Sequence, residues 1–96
     1  MLYFNYARVL DLCGRYEEGA ECAANGRKSC LKYGHYQYIP GCLEIEAECS
    51  HFMGDDKRSA DLYRKCYYLC QVIEYPVGLQ TVKKEASEYL GIEFES

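Results

Sequence analysis

Apolar residues recur along this chain at helical spacing. Leu79, Val82, Ala86, Tyr89 and Leu90 fall at i, i+3, i+7, i+10 and i+11, one face of a 3.6-residue helix. Cys42, Ile45, Cys49 and Phe52 repeat the pattern, as do Leu62, Cys66, Leu69 and Ile73. Strand-like alternation of β-branched residues is absent. The spacing predicts five helices, over about 1–13, 16–33, 37–53, 56–74 and 78–91, joined by connections short enough to force antiparallel neighbours. The expected fold class is all-α.

Punctuation agrees with those boundaries. Gly14, Gly34, Gly54, Gly78 and Gly91 fall between or just after the periodic segments, and Gly34 and Gly91 suit the left-handed residue that closes a helix. Asp55 or Asp56 can cap the fourth helix, because an Asp side chain accepts from the orphan N–H groups of a first turn. Pro40 fits the first turn of the third helix and Pro76 marks the start of the fifth. The first helix is unusual. Ten of the first 13 residues are apolar and they lie all round it. A helix apolar on every side is normally buried on every side. It therefore predicts a preceding helix or a partner chain, in a piece of a longer protein or a self-associating one.

Composition narrows the class further. The chain has 96 residues, 49% of them hydrophobic, and a formal charge of −4, which suits one small globular domain. No stretch is long and apolar enough for a membrane span, and no leader of the secretory kind is visible. An acidic chain is also poorly suited to gripping phosphates, so direct nucleic-acid contact is not expected. The seven cysteines, an odd number spread through apolar runs, read as buried reduced thiols in a cytoplasmic protein rather than as a disulfide framework.

A slide of 40 residues superposes Ala7 on Ala47, Gly14 on Gly54, Ala20 on Ala60, Cys30 on Cys70 and Glu48 on Glu88. Gly14 and Gly54 each fall in a turn between two helices, with Ala7 and Ala47 at the same distance before it. Ser87 carries this small-residue position into the fifth helix. The unit is a helical hairpin used about two and a half times.

Cys13-Gly14-Arg15-Tyr16-Glu17-Glu18-Gly19-Ala20 resembles the G-x-Y-x-x-A signature of tetratricopeptide repeats, with Gly19 in the place of the usual Ala. The stretch from Gly54 to Tyr63 keeps the Gly, a small residue and the later aromatic. Long, irregular repeats of this kind are similar to those of cytoplasmic bacterial peptide-sensing regulators, where a helix-turn-helix domain precedes the array. Ala86-Ser87-Glu88-Tyr89-Leu90-Gly91-Ile92 resembles their C-terminal helix. The resemblance implies one domain, a right-handed solenoid of stacked hairpins, with repeats at 1–34 and 36–74 and a terminal helix at 78–91. It also implies a regulatory or sensor part of a transcriptional regulator that binds a peptide or protein. In the family, the first helix of each hairpin lines a concave groove. Carried over by position, the groove residues are Phe4, Arg8 and Asp11, then Glu44, Glu48 and His51, then Lys84 and Glu88, with Asn5 beside them to bond an extended backbone. Four carboxylates against two fixed cations suggest a ligand with basic and apolar residues.

Other chemistry is thin. Glu44-x-x-x-Glu48-x-x-His51 puts two carboxylates and an imidazole on one helix face, but a di-iron bundle needs the Glu-x-x-His element twice and two further Glu. A solvated face is the favoured reading. Cys66-x-x-x-Cys70 lacks the loop knuckle and second pair of a zinc site, and reads as core packing. Arg27, Lys28 and Lys32, with Arg64 and Lys65, read as a solvated outer face. No phosphate loop, nucleophile elbow or Ser/His/Asp set is present. The expectation is a non-enzymatic binding module without metal or cofactor. Its alternatives are a structural homodimerisation domain built on the first helix and, behind that, a metal-binding bundle.

Overall fold

The computed structural model describes residues 2–94, with side chains from Asn5 onward. Five α-helices follow one another: α1 (Leu2–Leu12), α2 (Tyr16–Tyr33), α3 (Ile39–Phe52), α4 (Asp56–Val72) and α5 (Pro76–Leu90). A 3₁₀ turn at Tyr36–Tyr38 leads into α3. No strand occurs among the described residues.

One turn geometry joins the helices. Gly14, Gly34, Gly54 and Glu74 all adopt left-handed φ, between 54° and 86°. After each, a backbone N–H reaches back to a carbonyl in the last turn of the helix. The bonds are Arg15 to Leu10, His35 to Cys30, Asp55 to Ser50 and Tyr75 to Cys70, at 2.8–2.9 Å, the six-to-one bond of a helix C-cap. The slide that superposes Gly14 on Gly54 therefore superposes Gly34 on Glu74, a glutamate in a glycine's conformation. Asp55 caps α4 by accepting from Arg58 N at 3.2 Å. Pro40 and Pro76 sit in the first turns of α3 and α5.

Gly78 does not lie between helices, and the fifth helix begins at Pro76 rather than at residue 78. A Cβ on Gly78 would come within 2.7 Å of Cys70 Sγ and 2.5 Å of the Tyr75 ring. This glycine serves the close approach of α4 and α5 instead of a turn.

Each helix packs on the next, and α3 also meets α1 and α5, so α3 contacts all four other helices. The molecule is a slab of 32 × 30 × 18 Å. The helix enclosed by the others is therefore α3, where Cys42 to Ala47 are all buried. α1 buries Ala7, Leu10 and Asp11 against the rest and leaves Tyr6, Val9 and Leu12 between 53% and 77% exposed. Among the described residues, nothing covers that stripe.

Small side chains bring the helices together. Ala7, Ala20, Ala23, Ile45 and Cys49 form one cluster, and a Cβ on Gly19 would lie 3.0 Å from Cys49 Sγ. A larger cluster gathers Leu43, Ala47, Leu62, Tyr63, Val82 and Ala86, and Ser59 Oγ donates to the Ala47 carbonyl at 2.7 Å. In α5 the fully buried small residue is Ala86. Ser87 is half-buried and donates to Glu93 at 2.7 Å.

The cysteines are not uniformly buried. Cys13 is exposed and Cys22 half-buried, while the other five are interior, and none of the seven is in a disulfide. Cys13 follows the last residue of α1, on an exposed turn. Cys66 and Cys70 are core residues, as the spacing suggests, and Cys66 Sγ donates to the Pro40 carbonyl at 3.3 Å.

The basic stretch also departs from expectation. Lys28, Lys32, Arg64 and Lys65 are exposed, but Arg27 is half-buried. It meets Glu46 Oε1 at 3.2 Å, and Arg58 meets Oε2 of the same carboxylate at 3.0 Å. Glu46 is 3% exposed. A carboxylate that deep needs paired cations, and α2 and α4 each supply one, which clamps them onto α3.

Candidate functional site

The other buried glutamate of α3, Glu44, faces α1 and α5, where the polar groups of the domain converge. On α1, Arg8 and Asp11 stand one turn apart. On α3, Glu44 and Glu48 do the same, since residues three or four apart share a helix face. Arg8 bonds all three carboxylates, with Nη2 2.6 Å from Glu44, and Nη1 2.8 Å from Asp11 and 3.4 Å from Glu48. α5 adds Glu85, which accepts from the Tyr63 hydroxyl of α4 at 2.9 Å. Tyr89 donates to Glu48 at 3.5 Å, and the Cys49 thiol donates to Asp11 at 3.6 Å.

Carboxyl groups outnumber cations here, and two of them are pushed toward the protonated form. Burial raises Glu48 to about 8, helped by the hydrogen bond and negative charge of Asp11 and opposed by Arg8. Burial and a shared hydrogen bond with Glu44 raise Glu85 to about 9. At neutral pH both are held mainly as neutral acids. Burial works against the charge on Arg8, but Glu44, Glu48 and Asp11 outweigh it and hold the guanidinium above its ordinary value. Burial, reinforced by Glu85, lifts the Tyr63 phenol far out of its usual range.

Beside this cluster lies a cavity of about 510 Å³. Its polar end is Asn5, Arg8 and Glu44, and its walls include Tyr38, Pro40, Gly41, Tyr75, Val77, Gly78, Thr81 and Val82. Three elements of the odd-helix face build most of it: α1, α3 with its leading 3₁₀ turn, and α5; Cys66 of α4 and Tyr75 of the following turn complete the lining. Gly41 and Gly78 leave two of its walls without side chains.

Asn5, Arg8 and Glu44 line the cavity, and Asp11 and Glu48 stand behind them in the ion cluster. The solvated face expected for Glu44 and Glu48 is replaced by a buried ion network. His51 is elsewhere: its Nδ1–H donates to Asp56 at 2.8 Å, and its ring stacks on Tyr89 at 4.9 Å. Lys84 and Glu88 are exposed and line nothing in the cavity. The odd helices start 37 residues apart, three fewer than the slide, so α5 presents Thr81 and Glu85 where the 40-residue slide selects Lys84 and Glu88. The Phe4 side chain lies outside the described residues.

Glu85 is the residue that the slide conceals, because it pairs it with Ile45. Counted from the starts of α1, α3 and α5, which are equally spaced, Asp11, Glu48 and Glu85 hold the same place in each helix. That second register is the signal that finds it.

Glu44, Glu48 and Glu85 bring carboxylate oxygens within 4.8 Å of one another, a spacing that hard cations use. Arg8 already meets two of the three with its own charge. His51 is bonded to Asp56 and takes no part, so the Glu44, Glu48 and His51 metal set is not assembled. An activated nucleophile is also missing among the described thiols that titrate abnormally. Burial pushes Cys42 and Cys49 up to about 12 and raises Cys22, Cys66 and Cys70, the reverse of what thiolate chemistry needs.

No protein-family model, no curated protein and no solved structure matches this chain. No helix among the described residues is long and apolar enough to cross a membrane.

Proposed function

We propose that this chain is a peptide- or protein-binding module, a tetratricopeptide-like stack of helical hairpins whose groove between α1, α3 and α5 takes an extended partner segment. The observation that carries this reading is the cavity of about 510 Å³ on the face shared by those three elements, within the ~300–1,000 Å³ of ligand sites. Its largely apolar walls and few convergent polar groups match what such sites need. Asn5 stands at the rim with an exposed side chain, suited to bonding a peptide backbone. An occupant touches helices from both ends of the slab, so its binding energy favours one spacing of α1 and α5 over others. That coupling fits a sensor or regulatory part of a transcriptional regulator. The polar groups are paired with one another and the abnormal thiols are held protonated, which favours binding over catalysis.

The test is affinity selection from a random hexapeptide library, with wild type beside Thr81→Trp. Thr81 lines the cavity and is not in the core, so the larger ring fills the groove. Selection by wild type alone supports the reading, and equal selection by both proteins contradicts it.

The alternative, a structural homodimer, draws on the exposed stripe of Tyr6, Val9 and Leu12. Light scattering across a concentration series, with Val9→Lys alongside, separates the two. A dimer that Val9→Lys dissociates would favour it.

A further inference from the structure

The cavity has one charged end and apolar walls, and that asymmetry selects among occupants. An anionic occupant is opposed by the cluster itself, because the one guanidinium at this end, Arg8, already faces three acids, Glu44, Asp11 and Glu48, at 2.6–3.4 Å. A neutral apolar occupant would fill the walls but leave three acids, Asp11, Glu44 and Glu48, facing one guanidinium in a site that it has dried. Charge left without a counterpart in a desolvated pocket is costly. A cationic occupant supplies the missing charge.

Building on the reading of the cavity as a peptide groove, we propose that it receives a lysine side chain of the partner segment, with the ammonium against Glu44 and the alkyl stem along Pro40, Val77 and Val82. Lysine suits this geometry for two reasons. Its aliphatic stem packs on apolar surface while its head reaches a polar end. Its ammonium is a compact charge that needs a single acceptor, whereas a guanidinium fork matches a whole carboxylate. Glu44 has already given one oxygen to Arg8 at 2.6 Å, so no carboxylate at the lining is open to a fork. Glu85 of α5 brings a carboxyl oxygen within 4.8 Å of Glu44, so a second acid stands beside this acceptor. Glu44 is 7% exposed, so the ammonium meets it in a poorly solvated place where a charge-assisted hydrogen bond is strong.

Four acetylated and amidated hexapeptide libraries test this, each with one position fixed as lysine, arginine, norleucine or glutamate and the rest randomised among apolar residues. Fluorescence polarisation gives their affinities for the intact chain at neutral pH. Lysine is expected to bind about tenfold tighter than norleucine, the scale of one hydrogen bond to a charged group, and glutamate weakest. Norleucine equal to lysine overturns the cation reading and leaves the groove intact. Arginine equal to lysine overturns the single-acceptor argument. If no library binds, the groove reading falls as well. Glu44→Gln, checked for helicity, is expected to bring the lysine preference over norleucine below about threefold. A preference kept at tenfold in that variant places the ammonium elsewhere and overturns the assignment. The wild-type comparison stands even if the variant does not fold.

Discussion

The acid cluster makes stability depend on pH in a direction opposite to that of an ordinary salt bridge. Glu48 and Glu85 titrate near 8 and 9 in the folded chain, against 4.5 ordinarily, because burial and neighbouring carboxylates oppose their ionisation. Below 4.5 both groups are protonated whether the chain is folded or not, and they contribute nothing to pH dependence. Above it the unfolded chain releases two protons that the native state keeps. The native state then binds more protons, so stability falls as pH rises, down to a plateau above about 9. The slope for a fully sealed group is ~1.4 kcal/mol per pH unit, or roughly 4 kcal/mol from pH 5 to 8. Neither side chain is sealed, and solvent screening brings the pair together to about 1–3 kcal/mol. For a domain this size that lowers Tm by roughly 5–15 °C. Glu85→Gln keeps the oxygen that accepts from Tyr63 and removes the ionisation, so it is expected to remove about half of the slope. Thermal unfolding followed by circular dichroism from pH 5 to 8.5 measures both. A wild-type Tm that is flat or rises over that interval refutes the reasoning, as does a Glu85→Gln variant with the wild-type slope.

Other perturbations test the fold around the site. Glu74→Gly removes a left-handed glutamate, φ 54°, whose strain costs ~1–2 kcal/mol and exceeds the entropy that glycine adds to the unfolded chain, ~0.4–1 kcal/mol. Urea unfolding is expected to show a gain of about 0.5–1 kcal/mol. Gly78→Ala drives a methyl within 2.7 Å of Cys70 Sγ, parting α4 from α5, and the same assay is expected to show a loss of about 1–3 kcal/mol. Tyr63→Phe leaves Glu85 without its hydroxyl donor and is expected to cost about 1–2 kcal/mol.

Much of the fold is legible in the sequence, for reasons visible in particular residues. Gly14, Gly34 and Gly54 announce their turns because an unbranched backbone takes positive φ at little cost. Glu74 takes the same conformation unannounced, and the reader of the sequence moves the fifth helix to Gly78. Apolar residues all round α1 suggest a covering helix or partner chain, while among the described residues α3 is the enclosed helix. Its Glu44 looks like a solvent-facing charge until Arg8 comes from α1, and Glu46 carries no signal of its own until Arg27 and Arg58 come from α2 and α4. Periodicity reports each helix alone, and these pairings depend on which helices meet. The candidate site is half legible for the same reason. Arg8, Glu44 and Asn5 follow from counting along hairpins, while Glu85 needs a second register because helix starts and turns repeat at different spacings. Tyr38, Tyr75 and Val77 carry no polar pattern, and only the meeting of three elements makes them cavity walls.

The central claim is that the face shared by α1, α3 and α5 binds an extended segment. The most direct test is amide chemical-shift mapping of the ¹⁵N-labelled chain titrated with the tightest-binding hexapeptide selected from the random library. The account predicts saturable shifts centred on Asn5, Gly41, Gly78 and Thr81. Shifts confined to the exposed stripe of α1 at Tyr6, Val9 and Leu12, with those four amides unmoved, would contradict it.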